Sequence, residues 1–122
     1  IIHEKYNFNK NDFILDFHDI FVVKYECDNI NKQNFLEVHI DGSHLSFNIL
    51  LNDAFEGGGT LFVDDGLIMR PNKGEMILSS GRVKHAGIPI TKGKRYLLVG
   101  FCFIIDKISN KKIGNIGEYT QS

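Results

Sequence analysis

The chain has 122 residues, 43% of them hydrophobic and 24% charged, with a formal net charge of -1. That size suits one compact domain with a single, modest core, and the composition is that of a folded globular protein rather than a disordered one. The charge balance gives no support for nucleic-acid binding through a broadly basic surface, a local basic groove aside.

No apolar run is long enough to span a membrane as a helix. Ile1 is not an initiator methionine and no signal-peptide pattern follows it. The expectation is therefore an excised piece of a longer protein, whose compartment signals need not be present. Oligomeric state is not legible. Cys27 and Cys102 stand far apart and in no metal-ligand spacing. They read as two small hydrophobes, with one disulfide open as an alternative.

In chain order, residues 1–20 form a flank. Phe13, Phe17 and Ile20 are spaced for one helical face, with Asn11 or Asp12 as N-cap, so a short helix or an extended arm covering a sheet is expected. From Phe21 the pattern becomes that of strands. Phe21-Val22-Val23-Lys24-Tyr25 is β-branched and aromatic, and Asp28 to Gln33 reads as a loop. Phe35 to Ile40 alternates and ends in the turn signal Asp41-Gly42. Strand signals follow at Leu45–Leu51, Leu61–Val63, Leu67–Met69, Glu75–Leu78, Val83–Ile90 and Tyr96–Ile105. About eight short strands separated by turns predict an all-β jelly roll over residues 21–105. Residues 106–122 turn polar and predict a loosely held tail.

Two features within this frame carry chemistry. His39 and Asp41 lie at i and i+2, so on a strand both side chains point to one face and two groups there bind one ion together. Alone, such a triplet is most often a strand-end histidine beside a turn-forming aspartate. Downstream, His85 is followed by Gly87, Pro89 and the element Gly93-Lys94-Arg95-Tyr96. Two histidines and one carboxylate make the facial triad of a non-haem iron site, with coordination positions left open. The planar fork of an arginine suits a dicarboxylate. Strand alternation lets only one of Lys94 and Arg95 face the interior. Between the histidines, Phe55-Glu56-Gly57-Gly58-Gly59-Thr60 lacks the ending of a phosphate loop and predicts a tight backbone reversal at positive φ.

These motifs, together with Asn48-Ile49-Leu50-Leu51-Asn52, occur in one order between Phe21 and Phe103, about two-thirds of the chain. The stretch resembles the catalytic barrel of the 2-oxoglutarate and Fe(II)-dependent oxygenases, in their prolyl and lysyl hydroxylase branch. It looks most like procollagen lysyl hydroxylases, which share the Phe-Val-Val-basic-Tyr strand and the arginine of Gly-x-Arg-Tyr. Collagen prolyl hydroxylases more often place lysine there. The resemblance implies a double-stranded β-helix, cupin-like, with His39, Asp41 and His85 as iron ligands. It implies Arg95 as the grip on the distal carboxylate of 2-oxoglutarate, and Tyr25 and Asn48 as polar positions that help seat this co-substrate. It further implies dioxygen as oxidant, ascorbate as reductant, and a peptidyl lysine or proline hydroxylated with release of succinate and carbon dioxide. A protein or peptide partner follows, in the lumen of the secretory pathway if the chain follows collagen hydroxylases and in the cytoplasm otherwise.

The sequence departs from the pattern at Ile40, where lysyl hydroxylases often carry a second histidine. Ser79-Ser80 replaces a bulkier apolar stretch. The helices that normally precede the barrel are mostly missing. Two rival readings are a zinc hydrolase, which leaves Arg95 unexplained, and an inactive cupin-like binding module, against which the complete ligand set argues. An oxygenase acting on a small molecule is a further alternative.

Overall fold

A computed structural model describes residues 13–27, 33–106 and 111–112. They form ten strands and no helix: β1 (Phe13–Glu26), β2 (Leu36–His39), β3 (Leu45–Leu50), β4 (Phe55–Gly57), β5 (Thr60–Phe62), β6 (Leu67–Met69), β7 (Met76–Ser80), β8 (His85–Gly87), β9 (Ile90–Asp106) and β10 (Lys111–Lys112). One sheet runs β1-β9-β3-β7, with β4 and β10 also pairing β9, and the other runs β2-β8-β5-β6. Every pairing is antiparallel. The all-β jelly roll expected from the strand spacing is the observed fold.

The long strand β9 organises the larger sheet. Its register sets Tyr25 opposite Arg95, Val23 opposite Leu97 and Phe21 opposite Val99. On its other side Leu50 lies opposite Leu97 and Asn48 opposite Val99. Because side chains alternate, these residues share the inner face. Tyr25, Leu50, Ile90 and Leu97 pack there as one buried cluster, and Phe62, Ile77 and Val83 form a second.

The helix option for the N-terminal flank is corrected over residues 13–20. These residues are the first half of β1, paired from Phe13 opposite Asp106 to Ile20 opposite Gly100. Pairing with β9 satisfies the backbone groups along one side of the strand, and this outweighs the weak three-to-four periodicity of Phe13, Phe17 and Ile20. Phe17 lies edge-on to Phe47 at 6.2 Å and remains half exposed. The rest of the flank, the N-cap included, and most of the expected Asp28–Gln33 loop lie outside the described residues. Of the expected tail, Lys111 and Lys112 pair with Asp106 and Ile105, and the remainder lies outside them as well.

β4 was not expected, because its glycines read as loop. It forms because the edge of β9 near Lys92 and Gly93 is free to take Phe55 and Glu56 as partners. Cys27 and Cys102 form no disulfide with each other. Burial, reinforced by Asp16, pushes the Cys102 thiol up to about 11, which keeps it an inert core group.

A metal-ligand triad beside a buried arginine

The triad is assembled from two strands and a turn. β2 pairs with β8 so that His39 stands opposite His85, which brings their ring centroids to 4.3 Å. Asp41 comes in from the turn after β2. Its own N–H and that of Gly42 both donate to the Gly81 carbonyl at 2.9 Å, and Gly42 takes φ 80° to make the turn. The Asp41 Oδ1 then lies 3.2 Å from His39 Nε2 and 3.4 Å from His85 Nε2. One donor atom from each residue falls within 4.8 Å of the other two.

Each imidazole is oriented from behind. His39 Nδ1 lies 2.7 Å from the Glu37 carbonyl and His85 Nδ1 lies 2.8 Å from that of Val83. A carbonyl only accepts, so each Nδ1 donates its proton, and each Nε2 is turned to Asp41. Ser46 hydrogen-bonds the Asp41 carboxylate and is itself 2.9 Å from the Ser43 hydroxyl. Burial would raise the Asp41 pKa, but hydrogen bonds from His85 and Ser46 and the two histidine charges outweigh it and lower it. Burial would likewise lower that of His85, and the bonds to Asp41 and Val83 raise it instead. Two imidazole nitrogens and a carboxylate oxygen in this proximity fit a divalent transition metal such as Fe(II).

Arg95 lies deeper in the same cavity and is 1% exposed. Its guanidinium carbon sits 5.3 Å from the centroid of the Tyr25 ring, itself buried. Its Nη1 donates a long bond, 3.4 Å, to the Gly59 carbonyl. No carboxylate among the described residues pairs with it. Burial lowers the Arg95 pKa and raises that of Tyr25, and their mutual attraction opposes both shifts. Lys94 points the other way, exposed and 3.7 Å from Glu26.

Asn48 also lines the cavity, and its Oδ1 is buried without a hydrogen-bond partner. A buried arginine without an acid and an orphaned amide oxygen in one cavity are the marks of a polar ligand's place. The six residues singled out from the sequence, His39, Asp41, His85, Arg95, Tyr25 and Asn48, therefore all face one cavity. Sequence reasoning missed Ser46 and Thr60, both buried and both in its lining. The signal for Ser46 was present, since Leu45-Ser46-Phe47-Asn48 sets two polar groups at period two in an apolar strand. The glycine loop was read as a reversal only. Gly57, Gly58 and Gly59 do take φ of 79°, 76° and 107°. In addition, a Cβ on Gly58 would press on Arg95 Cδ at 3.2 Å, so the loop can close over the arginine only as glycine.

No family model matches the chain. Its residues are similar to lysyl hydroxylases, in agreement with the resemblance read from the motifs. Procollagen-lysine,2-oxoglutarate 5-dioxygenase 1 of Mus musculus is 41% identical over 87 residues, 66% of this chain and 12% of that protein. Multifunctional procollagen lysine hydroxylase and glycosyltransferase LH3 of Rattus norvegicus is 39% identical over 87 residues, again 66% of this chain and 11% of that protein. The chain thus spans about a tenth of the length of the curated relatives it matches. Among solved structures, an oxidoreductase of the 2OG-Fe(II) oxygenase family from Burkholderia pseudomallei superposes with a TM-score of 0.64. It is 20% identical, covering 78% of this chain and 47% of that one. At that identity the likeness establishes the barrel fold.

Proposed function

We propose that this barrel is an Fe(II)- and 2-oxoglutarate-dependent dioxygenase that hydroxylates a peptidyl lysine. The observation that carries the reading is the buried Arg95, without an acidic partner among the described residues, in one cavity with the His39, Asp41 and His85 donor set. The similarity to proteins named procollagen lysine hydroxylases supports lysine as the target.

In this reading His39, Asp41 and His85 hold the iron, and Arg95 receives the distal carboxylate of a five-carbon diacid through its planar fork. When bound, Fe(II) and 2-oxoglutarate supply the oxidation: dioxygen and the keto acid are consumed, succinate and carbon dioxide leave, and one C–H bond becomes C–OH. The chain orients these partners. The carbonyls of Glu37 and Val83 hold both rings with Nε2 aimed at one point. Tyr25 packs against the guanidinium and fixes its height in the cavity. Asn48 lines the same cavity, and its Nδ2–H groups are the donors it offers a carboxylate. Phe21, Phe62, Val99 and Phe101 line the remaining wall and exclude water from the reacting carbon.

A zinc hydrolase built on the same triad gains nothing from a buried arginine at this place. The deciding experiment follows succinate and peptide mass with Fe(II), ascorbate and a panel of lysyl and prolyl peptides. A gain of one oxygen on lysine, dependent on both Fe(II) and 2-oxoglutarate, is expected. Peptide-bond cleavage, or turnover with zinc in place of iron, would overturn the reading.

A further inference from the structure

The inner face of β1 carries Tyr25, Val23 and Phe21 in the cavity wall, and its next residue on that face is Asp19. The register shifts between Phe17 and Asp19: Phe17 pairs with Cys102, and Asp19 pairs with Phe101. Phe101 lines the cavity. Paired residues share a face, so Asp19 faces inward with Phe101, and the bulge turns Phe17, paired with Cys102, to the opposite face. The same rung continues across the sheet, because Phe101 also pairs with Ser46, which holds the Asp41 carboxylate. Two strand spacings therefore separate Asp19 from Ser46, about 10 Å between backbones. Asp19 is exposed just beyond the cavity lining, on the rung of Ser46, and no ion pair joins it to another described residue.

From the mouth inward, the wall beside Asp19 is aromatic. Phe21 and Phe101 meet edge to face at 5.5 Å, and Val99 lies beyond. An alkyl chain fits against these rings. Of the charged groups in the cavity lining, Asp41 belongs to the donor set and Arg95 is cationic and deep.

We propose that Asp19 is the specificity residue of this site: it binds the terminal ammonium of a substrate lysine whose methylenes cross Phe101, which lies between Asp19 and Ser46 on their shared rung. This rests on the dioxygenase reading and gives its preference for lysine a physical cause, since a proline ring offers no cation. A methylene next to the ammonium-bearing carbon is then held at the height of the donor set, where the oxygen is inserted.

The test is equilibrium binding of a fluorescent lysyl peptide and its norleucyl analogue to the protein loaded with Zn(II) and 2-oxoglutarate, which binds without turnover. The exposed Asp19 carboxylate should favour the lysyl peptide by about threefold to fivefold. Asp19→Asn should erase that gap while norleucyl affinity moves less than about twofold. Asp19→Lys should invert the preference, and Asp16→Asn, two rungs farther out, should leave it intact. A gap that survives in Asp19→Asn, or a wild-type protein that does not distinguish the two peptides, overturns the assignment. Hydroxylation of prolyl but not lysyl peptides overturns it while leaving the dioxygenase reading standing. Loss of that reading would show separately, as absence of any Fe(II)-dependent succinate formation.

Discussion

Arg95 and Lys94 are adjacent, equally charged and opposite in fate. Arg95 is buried against Tyr25 and Lys94 is half exposed beside Glu26. A buried charge-assisted pair typically contributes several kcal/mol, whereas an exposed ion pair contributes about 0–1 kcal/mol. Arg95→Ala should therefore raise the 2-oxoglutarate requirement by about a hundredfold or more, and Lys94→Ala by less than about threefold. Titrating 2-oxoglutarate against both variants checks this, and damage confined to Lys94→Ala would contradict the assigned roles. The triad carries a pH dependence whose sign is set by two shifts. In the metal-free protein the His85 pKa is raised above 6.5, so its contribution to stability is complete below 6.5 and lost as pH rises through the folded value. The Asp41 pKa is lowered below 3.8, so its contribution is present above 3.8 and lost as pH falls through the folded value. The metal-free barrel should gain stability as pH is lowered from alkaline to just below 6.5. Metal affinity should fall over the same range, because the ligand must be the neutral imidazole. Thermal melts with and without Zn(II) across pH test this, and parallel trends in the two series would contradict it.

At the scale of elements, one short clamp positions Arg95 within β9. Asn52, just past the end of β3, accepts from the Tyr96 N–H at 2.9 Å and donates to the Lys94 carbonyl at 2.7 Å. Those are the backbone groups on either side of Arg95. Asn52→Ala removes both bonds and should cost about 1–3 kcal/mol of stability. It should also raise the 2-oxoglutarate KM several-fold with metal affinity unchanged. Urea melts and a paired titration separate the two effects, and an unchanged KM in a destabilised protein would leave Asn52 a purely structural clamp. Gly87 sits on β8 where a Cβ would come 3.0 Å from the Tyr25 hydroxyl and 3.2 Å from Leu36 Cβ. Gly87→Ala should accordingly disturb Tyr25 and weaken co-substrate binding more than it unfolds the barrel. Co-substrate affinity equal to that of the parent would show that Tyr25 has room to move.

At the scale of the molecule, the donor set joins the two sheets. His39 and His85 belong to the smaller sheet, while Asp41 is held by Ser46 of β3 in the larger one. A bound divalent ion thus cross-links the layers, and at a free concentration of about 100 times Kd it should add about 2.7 kcal/mol to stability. His85→Ala should abolish that increment. Much of this architecture was legible in the sequence, because short-range chemistry determines it. Alternation at period two marked the strands, Asp41-Gly42 marked a turn, and the i, i+2 spacing placed His39 and Asp41 on one face. The order of the motifs then named the chemistry expected of His85 and Arg95. What required the tertiary structure was everything that depends on which strand lies beside which. Phe13 to Ile20 has a weak helical periodicity of its own and became strand only because β9 offers an edge along its whole length. Phe55 to Gly57 became strand for the same reason, against the preference of its glycines. Ser46 and Asp19 look like ordinary polar residues of their strands, and the rung through Phe101 that brings both level with Asp41 exists only once β1, β9 and β3 are paired. Local sequence determines which face a side chain takes, whereas its height relative to the site is set by register between strands far apart in the chain.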